Sequence, residues 1–338
     1  MVKIALFFND GGPSNNIVSI IKRYEKEYVW HLFAFKESPA WLIFERANLK
    51  IFTKELDENS NIEQELLFLK PAIVLVGTSW QNRTHLEFIK AAKNLHIPSV
   101  ATLEHWVSYR ERFGYPNEDY RENVSDFITV NDMYGYKIAH ELGFANIIKL
   151  RFYNLLDDVK IFEKSNIKEQ NSILFISEPT KKVALSSYAD ENYWGFNEFL
   201  VCEEICENIA LFGTNELNIR LHPSDEIGKY DYLSSRYKNI KIEIENPYEV
   251  PLIDSLCKNR TIIGIDGFVL FEAMILKKLS ISLMPSSKRE CVVPIFEQNK
   301  IRAISKNIKL TDFKKALFTD EIKSFGIDFA TMIKQIVK

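Results

Sequence analysis

Glycine, proline and cysteine are all scarce in this sequence. Its 338 residues include 12 Gly, 11 Pro and 4 Cys. So few Gly and Pro residues argue against long disordered linkers. The cysteines lie in the second half, where Cys202 and Cys206 share one face of a predicted helix without further Cys or His residues near by to complete a metal site. We therefore expect buried thiols and find no indication of an oxidising compartment.

The sequence also lacks a long apolar run and a large net charge of either sign. No run of about 18 apolar residues occurs, so no membrane span is predicted. The apolar stretch in "MVKIALFFNDGG" is too short for a signal peptide. The formal net charge of −3 gives no electrostatic reason to expect a nucleic-acid partner. These absences predict a cytoplasmic protein, which would meet a membrane surface only by association.

Strand-like and helix-like segments alternate in two series. A chain of 338 residues exceeds the usual size of one domain, and 46% apolar residues suffice for two cores. The first series covers residues 1–155, a polar linker with room for a short helix covers 156–171, and the second series covers 172–310. Residues 311–338 look helical and are candidates to pack back on the N-terminal domain. The predicted fold class is α/β, with two Rossmann-like domains facing across a cleft.

The first polar loop is "NDGGPSNN", directly after the strand-like run "KIALFF". Open α/β sheets bind ligands at the carboxyl ends of their strands. Gly11 and Gly12 permit close approach to the backbone, and the free N–H groups of the next helix suit an anion or a sugar hydroxyl. Asp10 is a candidate general base. The loop lacks the G-x-G-x-x-G spacing of dinucleotide sites, and the alternative is a plain β–α turn capped by Asn and Ser.

Two further strand ends of the N-terminal domain carry polar residues. In "LVGTSWQNRTHLE", small hydroxyl residues would let a substrate approach the backbone, or else cap the next helix. In "LEHWVSYRERF", Glu104 and His105 form a candidate acid–base pair, because histidine titrates near neutral pH. The alternative there is an amphipathic segment with a solvated charged face. The candidate acceptor side comprises Thr78, Ser79, Trp106 and Arg110.

The stretch "RLHPSDE" closes a strand of the second series. Arg220 and His222 alternate, so they point to the same face of that strand. His222 would donate to a phosphate oxygen, and Pro223 would stiffen the exit from the strand. The alternatives are a structural histidine and an arginine that pairs with a nearby carboxylate such as Asp225 or Glu226.

A second anion-binding candidate is "TIIGIDGFVLFEAMILKK". Asp266 and Gly267 end a strand, and a helix begins near Phe268. The start of a helix carries free N–H groups and a partial positive charge, which suit a phosphate. Glu272, one turn into the helix, would accept both hydroxyls of a ribose; alternatively, it is a first-turn acidic residue favoured by the helix dipole.

Two shorter stretches complete the predicted donor side. Ser177 and Glu178 stand at the tip of the first strand of the second series, in "ILFISEP". Ser286 and Ser287 follow a later strand, in "SLMPSSKRE", and would also reach an anion. A capping turn is the alternative for the first pair.

Together, the His-Pro pair and "IDGFVLFEA" resemble the GT-B glycosyltransferases. The His-Pro pair is similar to that of bacterial sialyltransferases and polysialyltransferases, where the histidine contacts the phosphate of a CMP-sugar. The resemblance implies a nucleotide sugar bound mainly by the C-terminal domain, with Glu272 on the ribose. It implies an inverting transfer, with a CMP-linked sialic-type acid favoured as the donor and a glycan, lipid-linked or protein hydroxyl as the acceptor. Those families carry an acidic pair before a glycine in the N-terminal domain, whereas this sequence offers Asp10 alone.

The resulting hypothesis is a transferase of surface-glycan synthesis. Asp10, or Glu104 with His105, takes the acceptor proton, while His222, Arg220 and the helix start at Gly267 hold the leaving phosphate. No cofactor and no metal are predicted, because these donors replace a cation and no Asp-x-Asp pair occurs. The alternatives are a UDP-sugar transferase, 2-epimerase or hydrolase on the same fold, or a non-catalytic nucleotide-sugar-binding subunit.

Overall fold

The computed structural model describes residues 1–79, 82–315 and 319–337. The chain divides into two compact units. Unit 1 is Met1–Asp157 together with Glu321–Lys338, and unit 2 is Asp158–Asp320. No helix in these described ranges is long and apolar enough to cross a membrane.

Strands and helices alternate along most of the chain. The strands are β1 (Val2–Phe7), β2 (Tyr28–Phe35), β3 (Phe52–Leu56), β4 (Ile73–Gly77), β5 (Ser99–Thr102), β6 (Phe127–Val130), β7 (Ile147–Lys149), β8 (Gln170–Ile176), β9 (Glu216–Arg220), β10 (Lys241–Glu245), β11 (Asn259–Gly264), β12 (Leu279–Leu283) and β13 (Lys300–Ile301). The helices are α1 (Gly11–Tyr24), α2 (Pro39–Ala47), α3 (Ile62–Leu69), α4 (Thr84–Asn94), α5 (Tyr120–Asn123), α6 (Met133–Glu141), α7 (Tyr153–Lys164), α8 (Thr180–Tyr188), α9 (Glu198–Asn208), α10 (Tyr232–Arg236), α11 (Leu252–Lys258), α12 (Val269–Ile275), α13 (Thr319–Ser324) and α14 (Phe329–Ile336).

Unit 1 is built on a parallel sheet with the strand order β3-β2-β1-β4-β5-β6-β7. Strands buried on both faces read as continuous apolar runs, as in β4, where all residues are buried. The chain order reverses between β1 and β4, and such a reversal leaves room for a ligand at the carboxyl ends of the strands.

Helix α14 completes the core of unit 1. Phe329 packs against Trp30 and Tyr28, with ring centroids 5.6 and 5.7 Å away. Its backbone N–H donates to the Tyr153 hydroxyl at 2.7 Å. The apolar face of α14 thus belongs to this core. This helix lies within residues 311–338, the segment predicted as a candidate to pack on the N-terminal domain.

Unit 2 is built on a second parallel sheet, in the order β10-β9-β8-β11-β12-β13. The strand order of this sheet reverses between β8 and β11, so the loops after these two strands border the edge at which open α/β sheets generally bind ligands. Cys202 and Cys206 are buried in its core, as predicted. Two parallel sheets with Rossmann-like order confirm the predicted α/β fold class.

Most of the stretch predicted as a linker, 156–171, is regular structure. Helix α7 extends to Lys164, and β8 begins at Gln170. Leu155 and Val159, one helical turn apart, are both buried. A helix anchored by so narrow an apolar stripe shows little periodicity in its sequence.

Candidate functional site

The loop after β9 holds the His222 ring in a defined orientation. The His222 backbone N–H donates to Asp225 Oδ2 at 2.9 Å, and the Ser224 backbone N–H donates to His222 Nδ1 at 3.1 Å. Because Nδ1 accepts this hydrogen bond, the neutral ring carries its proton on Nε2. Among the described residues, no hydrogen bond uses Nε2. The loop therefore offers a ring N–H donor at the carboxyl edge of the unit 2 sheet.

The charge state of His222 follows from its surroundings. Burial lowers the pKa of the ring, Asp225 raises it, and Lys229 and Lys182 lower it further. The net shift is downward, so the imidazole is neutral near pH 7. A neutral ring with its proton on Nε2 is suited to donate a hydrogen bond to an oxyanion.

Ser177 supports this loop from β8. Its hydroxyl donates to Asp225 Oδ2 at 2.6 Å and lies 2.8 Å from the Tyr230 hydroxyl. The side chain is buried. Ser177 thus stabilises the His222 loop through Asp225. The contact with the nucleotide sugar that the sequence predicts for Ser177 stays a prediction. Pro223, which follows the histidine, accepts a hydrogen bond from Tyr248 through its carbonyl, at 2.8 Å.

Arg220 is directed into the fold. Its Nη1 donates to Ser255 Oγ at 3.1 Å and lies 3.7 Å from Glu245 Oε2, and its Nη2 donates to the Pro247 carbonyl at 3.4 Å. Burial lowers the pKa of the guanidinium, and Glu245 opposes that shift. Arg220 thus pairs with a carboxylate, as the alternative interpretation predicts. The partner is Glu245, which lies opposite Arg220 in the register of β10 and β9, and not Asp225 or Glu226.

Glu178 and Asp266 tie the loops of the β8–β11 junction together. Glu178 Oε1 accepts from the backbone N–H groups of Ile265 at 3.1 Å and Asp266 at 2.8 Å. Burial raises the Glu178 pKa to about 7, although these amides and Arg289 oppose it. A Cβ at Gly267 would lie 3.0 Å from Glu178 Oε1, so the close approach favours glycine.

Asp266 fastens the loop that follows β12. Its Oδ1 accepts from the Val292 backbone N–H at 2.8 Å, and its Oδ2 lies 3.3 Å from Arg289 Nη2. Both carboxylates of the junction thus have partners within unit 2. In the same loop, Ser286 Oγ accepts from the Lys288 backbone N–H at 3.1 Å, and Ser287 is exposed.

Glu272 is buried inside α12, and Phe268 precedes that helix as its N-cap. Burial raises the pKa of Glu272 well above its usual range, Asp158 adds to the shift, and Arg220 opposes it. The Phe268 ring packs 5.9 Å from that of Phe271. The ribose contact predicted for Glu272 stays a prediction.

In unit 1, Asp10 follows β1 and Glu104 follows β5, and the Asp10 charge acts on the Glu104 carboxyl group. A Cβ at Gly12 would overlap the Glu104 carboxylate, which therefore lies against the first turn of α1. Burial raises the Glu104 pKa to about 7; Arg112 opposes the shift and Asp10 adds to it. A Cβ at Gly11 would make only ordinary contacts. Glu104 is thus a carboxyl group that gains and loses a proton near neutral pH.

Arg112 frames this carboxyl group and was missed in the sequence. Its Nη2 donates to the Glu104 carbonyl at 2.9 Å, and its Nη1 donates to Thr78 Oγ1 at 3.0 Å. Thr78 Oγ1 in turn donates to the Thr102 carbonyl at 2.7 Å. Ser79 accepts the Asn82 N–H at 3.3 Å and is buried. The alternative interpretation of this stretch, a solvated charged face, does not hold for Arg112, because its side chain is buried.

Trp106, His105 and Arg110 form hydrogen bonds with other residues of unit 1. Trp106 is buried, and its Nε1 donates to Asp132 Oδ1 at 3.2 Å. The His105 carbonyl accepts from the Tyr109 hydroxyl at 2.6 Å. Arg110 Nη2 donates to the Leu142 carbonyl at 3.2 Å. The acceptor contact predicted for Trp106 and Arg110 stays a prediction.

The described residues include no cluster of three or more His, Cys, Asp or Glu side chains arranged to bind a metal ion. Unit 1 offers the carboxyl pair of Asp10 and Glu104, and unit 2 offers the His222 ring.

Comparison with known proteins yields structural relatives alone. No family model and no curated protein matches the chain. A UDP-GlcNAc 2-epimerase from Neisseria meningitidis bound to UDP-GlcNAc superposes with a TM-score of 0.57 at 14% identity, covering 83% of this chain and 82% of that one. HepE from Anabaena in complex with UDP-glucose gives 0.53 at 12% identity, covering 100% and 92%. MurG from Acinetobacter baumannii gives 0.50 at 12% identity, covering 82% and 77%. The two units of this chain therefore have the GT-B fold.

Proposed function

We propose that the protein is a nucleotide-sugar-dependent glycosyltransferase in which unit 2 binds the nucleotide sugar and unit 1 supplies the base. The observation that carries this proposal is the orientation of His222, whose Nδ1 accepts from the Ser224 N–H so that the Nε2 proton is left to donate. The ring stands at the carboxyl edge of the sheet, where open α/β sheets bind ligands.

The bond that breaks joins the anomeric carbon to a phosphate oxygen. Its electron pair passes to that oxygen, and a hydrogen bond from His222 Nε2 stabilises the charge as it develops. A preset donor of this kind acts without reorganisation at the moment of reaction. The low pKa of His222 suits this role, because a neutral ring donates a hydrogen bond without giving up its proton.

The bond that forms joins the acceptor oxygen to the same carbon, from the opposite side. Glu104 takes the proton of the acceptor hydroxyl, and the configuration at the anomeric carbon inverts. With a pKa of about 7, a large share of Glu104 is ionised at neutral pH, and it is more basic than an ordinary carboxylate. Asp10, which raises that pKa, is the alternative base.

UDP is the first nucleotide to test, because the neighbours with bound ligands carry UDP-GlcNAc and UDP-glucose. The His-Pro pair favours a CMP-linked sialic-type donor instead. Both donors present a phosphate oxygen on the anomeric carbon. The acceptor would be a hydroxyl of a glycan, a lipid-linked saccharide or a protein in surface-glycan synthesis.

The carboxyl pair of unit 1 also favours a second candidate, a UDP-sugar 2-epimerase. Epimerisation at carbon 2 can proceed by elimination and its reversal: as the carbon-bound proton is removed, its electron pair forms a double bond to carbon 1 and UDP leaves, and UDP adds back when a proton arrives on the opposite face. A proton must therefore be removed and returned. Two interacting carboxyl groups, one with a pKa of about 7, can do both. Transfer to an acceptor needs one base and no return of the proton.

One experiment separates these activities. UDP-GlcNAc, UDP-glucose and a CMP-sialic acid are each incubated with the protein in D2O, with and without a mixture of glycan acceptors, and followed by NMR. The transferase is supported if nucleotide is released only when an acceptor is present and the glycosylated product has the inverted anomeric configuration. Deuterium at carbon 2 identifies an epimerase, and release without an acceptor a hydrolase. If no nucleotide sugar binds or reacts, the proposal fails.

A further inference from the structure

Lys229 lies at the centre of a buried ionic network behind the His222 loop. Its Nζ is 2.8 Å from Asp225 Oδ1 and 2.8 Å from Glu198 Oε1. The side chains of Lys229, Asp225 and Glu198 are 11%, 3% and 3% exposed. Removing three charges from water is costly and is offset only when geometry and hydrogen bonding are good.

The second oxygen of each carboxylate binds a backbone amide. Asp225 Oδ2 accepts from the His222 N–H at 2.9 Å, and Glu198 Oε2 accepts from the Lys181 N–H at 2.8 Å. Lys229 therefore joins two loops of the ligand-binding edge: the loop after β9, which carries His222, and the start of α8, which follows β8.

Hydrogen bonding keeps Asp225 ionised in this position. Burial by itself would raise the pKa of Asp225, but the hydrogen bonds from Lys229, Ser177 and the His222 N–H outweigh it and lower the pKa. An ionised Asp225 is acceptor-only, so both oxygens remain available to the groups that they bind. Lys229 thus supports the contact that orients the backbone at His222.

We propose that Lys229 is a positioning residue, which holds His222 in its orientation through Asp225. This inference rests on the proposed function in so far as His222 contacts a phosphate. The titratable groups that act on the ring are Asp225, Lys229 and Lys182. Without the Lys229 cation, the Asp225 charge would be opposed only by burial and by Lys182. The ring would then take a second proton, on Nδ1, at a higher pH than in the native protein, and the protonated ring would lose the hydrogen bond that it accepts from the Ser224 N–H.

The test measures His222 directly, without any ligand. The chain has six histidines, so the ring resonance is assigned as the one missing from His222→Gln, and its pH titration is followed by NMR. In Lys229→Met, which also removes the cation 5.2 and 5.3 Å from the ring centroids of Phe199 and Tyr230, we expect the His222 pKa to rise. In Asp225→Asn it should fall, because Asp225 raises it in the native protein.

A matched control is Lys181→Met, which removes a more exposed cation paired with Glu191 and leaves the Lys181 amide in place. Its titration should match the native one. An unchanged His222 titration in Lys229→Met, or shifts of the same sign in the Lys229 and Asp225 variants, would overturn the role of Lys229. If Lys229→Met does not fold, Lys229→Arg and Asp225→Asn decide the question, with a native-like titration expected from the first and a lowered pKa from the second.

Nucleotide binding then separates this inference from the proposed function. UDP should bind Lys229→Met about tenfold more weakly, a loss typical of one displaced hydrogen bond, and binding should be native-like in Lys181→Met. Undiminished binding of every nucleotide tested by His222→Gln would overturn the phosphate contact, whatever the titration shows. A shifted titration in Lys229→Met with native UDP affinity would overturn the link between ring position and binding.

Discussion

The Glu104 carboxylate lies against the α-carbon of Gly12, where a Cβ would overlap both carboxylate oxygens. The contact joins the loop after β5 to the first turn of α1. Gly12 is not among the residues with positive φ, so the close approach itself, not an unusual backbone conformation, requires glycine. The position of the candidate base is therefore sensitive to one methyl group on a neighbouring helix.

Gly12→Ala should reduce turnover with little loss of stability. The added methyl group must displace the free end of the Glu104 side chain, and a displacement of about 1 Å at a reacting group costs up to about 100-fold in rate. The matched control is Gly11→Ala, whose Cβ would lie 3.5 Å from Ile43 Cδ1, an ordinary contact. Steady-state rates and melting temperatures of both variants check this, and full activity in Gly12→Ala would contradict it.

Glu104→Gln should remove a proton acceptor without weakening nucleotide binding. General-base catalysis contributes roughly 10²- to 10⁴-fold, so a loss of that order is expected. In the native protein, kcat/KM should rise with pH through about 7, as Glu104 loses its proton. The variant should lack that step. If Asp10→Asn abolishes turnover while Glu104→Gln retains it, the base is Asp10.

The buried carboxyl group of Glu178 should make stability fall as pH rises. Its pKa is about 7 in the folded protein against an ordinary 4.5, so between these values the unfolded chain loses its proton first. The folded state then binds more protons, and the free energy of unfolding decreases from about pH 4.5 to about 7. Glu178→Gln should flatten this part of the profile. Urea unfolding at several pH values measures it, and an equal slope in both proteins would argue against the raised pKa.

His222→Gln should abolish the rise in melting temperature that a bound nucleotide causes. Ligands that bind only the folded state stabilise it by mass action, so the loss reports weaker binding. UDP, CMP and GDP are compared, because the nucleotide that gives the largest rise identifies the donor class. His140→Gln, the same exchange at an exposed position of α6, should behave as the native protein. Equal nucleotide-dependent stabilisation of both variants would count against the phosphate contact.

Arg220→Met should destabilise unit 2 more than it affects any ligand. Glu245 would lose its cation inside the fold, and breaking a buried pair from one side costs about 3–5 kcal/mol. Lys241→Met removes the cation of an exposed pair with Glu216 and should cost less than about 1 kcal/mol. Chemical unfolding of the two variants gives the comparison, and equal losses would refute it.

Periodicity in the sequence predicted the class of the fold and most of its strands, because strands buried in a parallel sheet consist of continuous runs of apolar residues. It missed β3, in which four of five residues are exposed, so that no apolar run marks the strand. It also missed β13, a pair of residues that joins the sheet at its edge. In both cases pairing with a neighbouring strand, not local composition, creates the element.

The sequence predicted where along the chain the candidate site residues lie better than it predicted which groups their side chains contact. Asp10, Glu104 and His222 were placed at strand ends, and the structure has them there. The sequence did not predict which charged side chains are buried and which partners they have. Arg112 reaches Thr78, 34 residues away, and Lys229 reaches Glu198, 31 residues away. Local sequence carries no signal for partners so distant, since strand order brings them together.

The packing of Phe329 against Trp30 has a consequence for biosynthesis. Unit 1 leaves the ribosome first but closes its core with α14, whereas unit 2 is synthesised in full before that helix. Domains generally fold as units while the chain grows. Unit 2 can therefore complete its core before unit 1 does, and the Trp30 ring lacks its contact with Phe329 until α14 has been synthesised.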